Sequence, residues 1–129
     1  MMKNKWILTG GAICLLAACS QMTQEERFQK IAENENSKCP KRLNSTTVFD
    51  STRYDASQNC VSYYYTLSGK ADDAEKYKKN YDNFRKALDN TIINSLEMKA
   101  YLEYKTIIKY IYYSDSTKTK LAEFVFNEN

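Results

Sequence analysis

The sequence contains no histidine. That absence removes the Ser-His-Asp and Cys-His nucleophile arrangements, together with the usual zinc and iron ligand sets. Glycine is almost as scarce. There are three in 129 residues, so neither a Gly-x-Gly-x-x-Gly turn nor a Walker loop is available to cradle a phosphate. No metal site and no cofactor is therefore expected. Nor is there a basic stripe: the formal net charge is +3, and Lys3 and Lys5 belong to an opening segment without acid. The remainder is close to neutral, and nothing in that balance points to nucleic acid.

Charge of either sign is also missing between Lys5 and Glu25. Lys3 and Lys5 form a short positive start, and Trp6, Ile7, Leu8, Ala12, Ile13, Leu15 and Leu16 make an apolar run. The run is too short and too glycine-rich to read as a transmembrane helix, but it suits a secretory signal. It ends in Leu16-Ala17-Ala18-Cys19, which resembles the bacterial lipobox at all four positions. A branched apolar residue anchors the peptide, two small residues admit the peptidase, and the thiol accepts diacylglycerol. Residues 1–18 are thus expected to be a cleaved signal, with Cys19 the lipidated N-terminus. Cys14, after Gly11-Ala12-Ile13, leaves with the signal. Ser20 is not the aspartate associated with inner-membrane retention, so the expected location is the outer membrane, facing the periplasm.

What remains is one domain's worth of chain, 24–129, on a short tether, 19–23. All eleven tyrosines fall in it. Tyrosine suits half-buried strands, ring inwards and hydroxyl towards water, and it equally suits a binding surface. Cys39 and Cys60 remain after lipidation, and in an oxidising compartment a disulfide is the default, worth roughly 3 kcal/mol on the chain-entropy model. The segment 39–49 must fold back for these sulfurs to meet; two free thiols are the alternative.

Thr23-Gln24-Glu25-Glu26 reads as a capping box opening a helix that carries Phe28, Ile31 and Ala32 on one face and stops near 34–36, before Cys39-Pro40. Phe49–Tyr54 and Asn59–Leu67 read as a hairpin. In its second strand Val61, Tyr63, Tyr65 and Leu67 share the face expected inside, while Cys60, Ser62, Tyr64 and Thr66 share the other. Asp72-x-x-Glu75 signals a second helix start. From there Tyr77, Tyr81, Phe84, Leu88, Ile92 and Leu96 recur at steps of three and four, one buried stripe opposite Lys78, Lys79, Asp82, Lys86 and Asp89. A break at Asn94-Ser95 and a helical turn over 97–102, carrying Met98 and Tyr101, precede a second hairpin of Thr106–Tyr113 and Lys120–Phe126. The expected fold is α+β in the order α-β-β-α-β-β, an antiparallel four-stranded sheet with two helices packed on one face.

Cys39-Pro40 with Thr47-Val48-Phe49-Asp50-Ser51, then Tyr63-Tyr64-Tyr65-Thr66-Leu67, then Asn94-x-x-x-Met98 before Ile107-Ile108-Lys109-Tyr110-Ile111-Tyr112, together resemble a loosely defined set of small exported bacterial proteins. The chain departs from that set in having Asn94-Ser95 where Asn-Pro is usual, and in a last hairpin turn without glycine. The resemblance implies a compact α+β domain and carries no catalytic residue.

The functional expectation is a membrane-tethered, non-catalytic module that binds or inhibits a protein partner in the envelope. Ser62, Tyr64 and Thr66 would present the partner face, since tyrosine supplies large contact area at low entropy cost. Two alternatives stand beside it. One is a carrier of a small apolar ligand, held near Met98, Tyr101 and Phe124. The other is a hydrolase running on the acid pair Asp50 and Asp55, or Glu97 and Glu103, which needs one carboxyl with a raised pKa in an apolar pocket.

Overall fold

The computed structural model describes residues 21–128. The expected signal segment 1–18 and the expected lipid acceptor Cys19 lie outside the described residues. Helix α1 spans Gln24–Asn36, and the capping box is made: the Thr23 hydroxyl accepts from the Glu26 amide at 3.1 Å. Phe28 and Ala32, one turn apart, are buried. At the far end the Asn36 side chain grips the backbone of Thr52. Its amide donates to the Thr52 carbonyl and its oxygen accepts from the Thr52 N–H, both at 2.7 Å.

Five strands follow in the sheet order β1-β2-β3-β4-β5: β1 (Lys41–Asn44), β2 (Thr47–Asp55), β3 (Cys60–Leu67), β4 (Ile107–Ser114) and β5 (Lys120–Phe126). Both hairpins are antiparallel as expected. The four-stranded antiparallel sheet is corrected on two counts. A fifth strand, β1, pairs antiparallel with β2, and β3 pairs parallel with β4, from Cys60↔Ile107 to Leu67↔Ser114. The sheet is therefore mixed. The physical reason lies in the connection. A helical run between β3 and β4 carries the chain back along the sheet, so β4 starts at the end where β3 started. Asn59, at φ +50°, pins that start. Its side-chain oxygen accepts from the Tyr54 and Thr106 hydroxyls, each at 2.9 Å, and its carbonyl accepts from the Ile107 N–H.

The crossover holds a short 3-10 turn (Gly69–Ala71) and three helices: α2 (Ala74–Lys79), α3 (Tyr81–Ile93) and α4 (Lys99–Glu103). The expected single helix is interrupted at Asn80, which caps the end of α2 and precedes α3. Asp73, rather than Asp72, is the N-cap of α2, accepting from the Lys76 amide. Asp72 instead accepts from the Ser116 amide and hydroxyl in the turn before β5. Along the stripe only Ile92 is fully buried, and Leu96, past the end of α3, is 89% exposed. Two α3 side chains seal the outer edge of β5: the Tyr81 hydroxyl donates to the Glu123 carbonyl and the Arg85 guanidinium to the Val125 carbonyl, both at 2.8 Å.

One core unites these elements. Phe28 and Ala32 of α1, Ile92 of α3 and Tyr101 of α4 pack with Tyr54, Val61, Ile108, Tyr110, Ala122, Phe124 and Phe126. By strand register all these sheet residues share one face, so the helices lie on a single side. A bulge between Phe49 and Ser51 keeps Phe49 and Thr52 on that same side. No helix among the described residues is long and apolar enough to cross a membrane.

Candidate functional site

Alternation in β3 and the parallel register with β4 set four tyrosines side by side on the helical face. Tyr63 stacks on Tyr110 (ring centroids 5.2 Å), Tyr110 on Tyr65 (6.1 Å) and Tyr65 on Tyr112 (5.0 Å). Phe49 extends the row from β2, 5.2 Å from Tyr65. Offset aromatic stacking of this kind is favourable beyond the area it buries. The helices only partly roof it. α1 covers one side and α3 the other, and between them runs a cleft whose floor is this row of rings.

The cleft has two lobes that meet over Tyr65 and Tyr110. The first, about 460 Å³, lies between α3 and the sheet, with Tyr77, Phe84 and Leu88 as one wall and Leu43 and Leu67 as the other. No charged side chain lines it. The second, about 440 Å³, lies between α1 and α4, bounded by Phe28, Ile31, Glu35, Glu97, Met98 and Tyr101. Each volume falls in the range of ligand sites. The rims are apolar and wet: Ile31 is 47% and Leu43 50% exposed.

Burial of the floor disfavours charge on its hydroxyls. It pushes Tyr110 up to about 12, and it raises Tyr63, Tyr65 and Tyr112 further, with neighbouring hydroxyls adding to the effect. These groups are neutral donors at physiological pH. The Tyr63 hydroxyl donates to Met98 Sδ at 3.8 Å. Tyr110 is 6% exposed; no buried side-chain oxygen or nitrogen among the described residues lacks a hydrogen-bond partner, so its hydroxyl, unpaired among them, meets solvent in the cleft.

Met98 and Tyr101 thus line the second lobe and Phe124 the first, so the three residues named for ligand carriage fall in two adjoining spaces. Ile31 and Glu35 of α1 carry no site signal in the sequence. Ile31 was legible only as part of the helix stripe. Ser62, Tyr64 and Thr66 lie together on the opposite, helix-free face, as alternation required, and all three are half-buried. That face is tied together by its own side chains, beside a shallow pocket of about 390 Å³ bordered by Asp50, Thr66 and Tyr113. Thr66 donates to Asp50 at 2.6 Å, Lys120 pairs with Glu123 at 3.0 Å, and Ile111 beneath them is 6% exposed.

The expected Cys39–Cys60 disulfide is not made, and both are free thiols. Cys39 Sγ sits against the Glu35 carbonyl on the helical side, whereas Cys60 Sγ lies 3.9 Å from Ser62 Oγ on the other face. The sheet stands between them. Neither acid pair converges. Asp50 and Asp55 sit five positions apart on one strand, each held by a hydroxyl, Thr66 or Ser57. Glu103 pairs with Lys99 in solvent, while Glu97 faces the cleft. Among the described residues no three His, Cys, Asp or Glu side chains gather as metal ligands.

Fold and cleft together define a class: an α+β domain with a mixed five-stranded sheet, helices on one face and an open aromatic trough between them. The chain belongs to the family described as Domain of unknown function (DUF8479), whose pattern matches residues 22–122. It is similar in fold to a crystal structure from Pseudomonas aeruginosa described as a "putative secreted protein", with a TM-score of 0.69 and 15% identity over 81% of this chain and 94% of that one. No curated protein matches it.

Proposed function

We propose that this chain is a lipid-anchored, non-catalytic module of the bacterial cell envelope that binds a segment of a partner protein in the helix-side cleft. The observation that carries the reading is the open trough itself. It has two adjoining lobes of about 460 and 440 Å³, floored by stacked tyrosines and rimmed by exposed Ile31 and Leu43. Exposed large apolar side chains mark interaction sites when they border a groove. Among the described residues none of these lies on the helix-free sheet face, so the cleft is preferred to Ser62, Tyr64 and Thr66 as the contact surface. The lipobox and the charge-free run before it support the anchor, and the failure of either acid pair to converge supports a non-catalytic role.

Site-specific photo-crosslinking in the native host tests the site. A crosslinker at Ile31 or Leu43 should give a discrete protein adduct, and one at Tyr64 should not. Adducts from Tyr64 alone would move the contact to the sheet face. For the anchor, Cys19→Ser should abolish incorporation of a palmitate analogue; a variant that still labels removes it. The uncharged first lobe favours one second reading, carriage of a small apolar molecule, which solvent extraction of the purified protein would reveal in stoichiometric amount.

A further inference from the structure

Resting on the assignment of the cleft as the binding site, we infer that its second lobe is a cation-accepting cage, which takes a lysine or arginine side chain of the bound segment while the first lobe takes apolar side chains. The two lobes differ in chemistry. The first contains no charged group, whereas the second has two carboxylates, Glu35 and Glu97, and no basic residue. Six aromatic rings line the same lobe: Tyr63 and Tyr65 are half-buried, and Phe28, Phe49, Tyr101 and Tyr110 back them from the core. Aromatic faces carry negative potential and attract ammonium and guanidinium groups. Among the described residues neither Glu35 nor Glu97 takes part in an ion pair, although Glu35 is half-buried. Burial above all raises the pKa of the Tyr101 hydroxyl, and both carboxylates lie close enough to add to that.

A second observation points into the same space. Tyr110 is buried except for 6% of its surface, and it lines both lobes. Its hydroxyl has no partner within the described residues and is not a buried orphan, so it opens to the cleft, where it can accept an N–H from a cation seated between the lobes. An apolar or anionic occupant would desolvate the two carboxylates and leave them uncompensated. A phospholipid headgroup fits less well than a side chain. Its phosphate would enter beside Glu35 and Glu97, whereas a lysine or arginine brings its charge on an uncharged stem that can lie along the tyrosine rings.

The test is a titration of the full exported chain, in maltoside micelles, with two small probes. These are N-acetyl-lysine methylamide and its near-isostere N-acetyl-norleucine methylamide, read by the shift of the Met98 methyl signal. The lysine probe should bind about tenfold tighter, the size of a modest desolvated cation–aromatic contact. In Glu35→Gln/Glu97→Gln that preference should shrink to roughly twofold or less. Glu97→Gln alone, at an exposed position, should narrow it if the double variant folds poorly. Equal affinities, a preference that survives both variants, or no Met98 shift with lysine would overturn the cage. Norleucine binding without lysine preference removes only this inference; loss of the Ile31 and Leu43 crosslinks removes the cleft reading beneath it.

Discussion

Ile92 and Leu88 lie one turn apart on the same stripe of α3, yet truncation should separate them sharply. Ile92 is 1% exposed and belongs to the closed core. Ile92→Ala removes about three methyl or methylene groups at roughly 0.8 kcal/mol each, and the cavity left behind brings the loss to about 3–4 kcal/mol. Leu88 is half-buried, and the side of it that lines the first lobe already meets water. Leu88→Ala should therefore cost only about 1–2 kcal/mol. For a domain of this size each kcal/mol moves the melting temperature by roughly 4–8 °C, so the expected losses are about 15–25 °C for Ile92→Ala and about 5–10 °C for Leu88→Ala. Lys86→Ala, on the solvated side of α3, should stay within about 0.5 kcal/mol. Thermal denaturation by circular dichroism, with all variants in one buffer, measures the three together. A Leu88 loss equal to or above that of Ile92 would mean that α3 does not leave an open wall over the sheet, and the cleft would not exist as described.

Two further outcomes follow from the site. The floor tyrosines have their folded-state pKa values raised above the unfolded value of 10.0, Tyr110 to about 12. Above pH 10 the unfolded chain therefore releases protons that the folded chain keeps, and stability, fully present below pH 10, should fall as pH rises from about 10 towards 12. Denaturant midpoints that stay constant from pH 9 to 11.5 would refute the burial of these hydroxyls. For the cysteines, mass spectrometry after alkylation without reductant should find both Cys39 and Cys60 modified in the unfolded protein. In the native protein Cys39, which is partly exposed, should react ahead of buried Cys60. An unreactive pair two hydrogens lighter would restore the disulfide.

Spacing alone was enough for some elements. The capping box placed the start of α1, and alternation assigned Val61, Tyr63, Tyr65 and Leu67 to the inner face. Other features left no such trace. All four residues of β1 are exposed, so Lys41-Arg42-Leu43-Asn44 shows no alternation to read. The stripe from Tyr77 to Ile92 keeps its period across Asn80, so the break between α2 and α3 is invisible to it. The parallel ladder depends on where a helical crossover delivers the chain. A 13-residue helix runs about 20 Å, most of the roughly 26 Å of an eight-residue strand, and so carries the chain back towards the level of Cys60. That comparison of lengths was available in the sequence, but strand patterning does not contain it. The cleft was harder still. Periodicity marks side chains that face the sheet, and Phe84 or Leu88 has the same period whether the helix closes down completely or stands off.

The cleft floor also has a history. Tyr63 and Tyr65 belong to one hairpin, Tyr110 and Tyr112 to the other, and the ladder joining them links positions 47 apart, as in Cys60 with Ile107. Each hairpin closes a short loop and can zip locally, whereas the junction between them must await the whole helical crossover. The tyrosine row is therefore complete only once that junction closes. A chain still in transit, or one with a damaged crossover, carries both halves of the floor but not the floor. Recognition through this surface would then report on completed folding, and a half-folded copy would be passed over by its partner without any separate checkpoint.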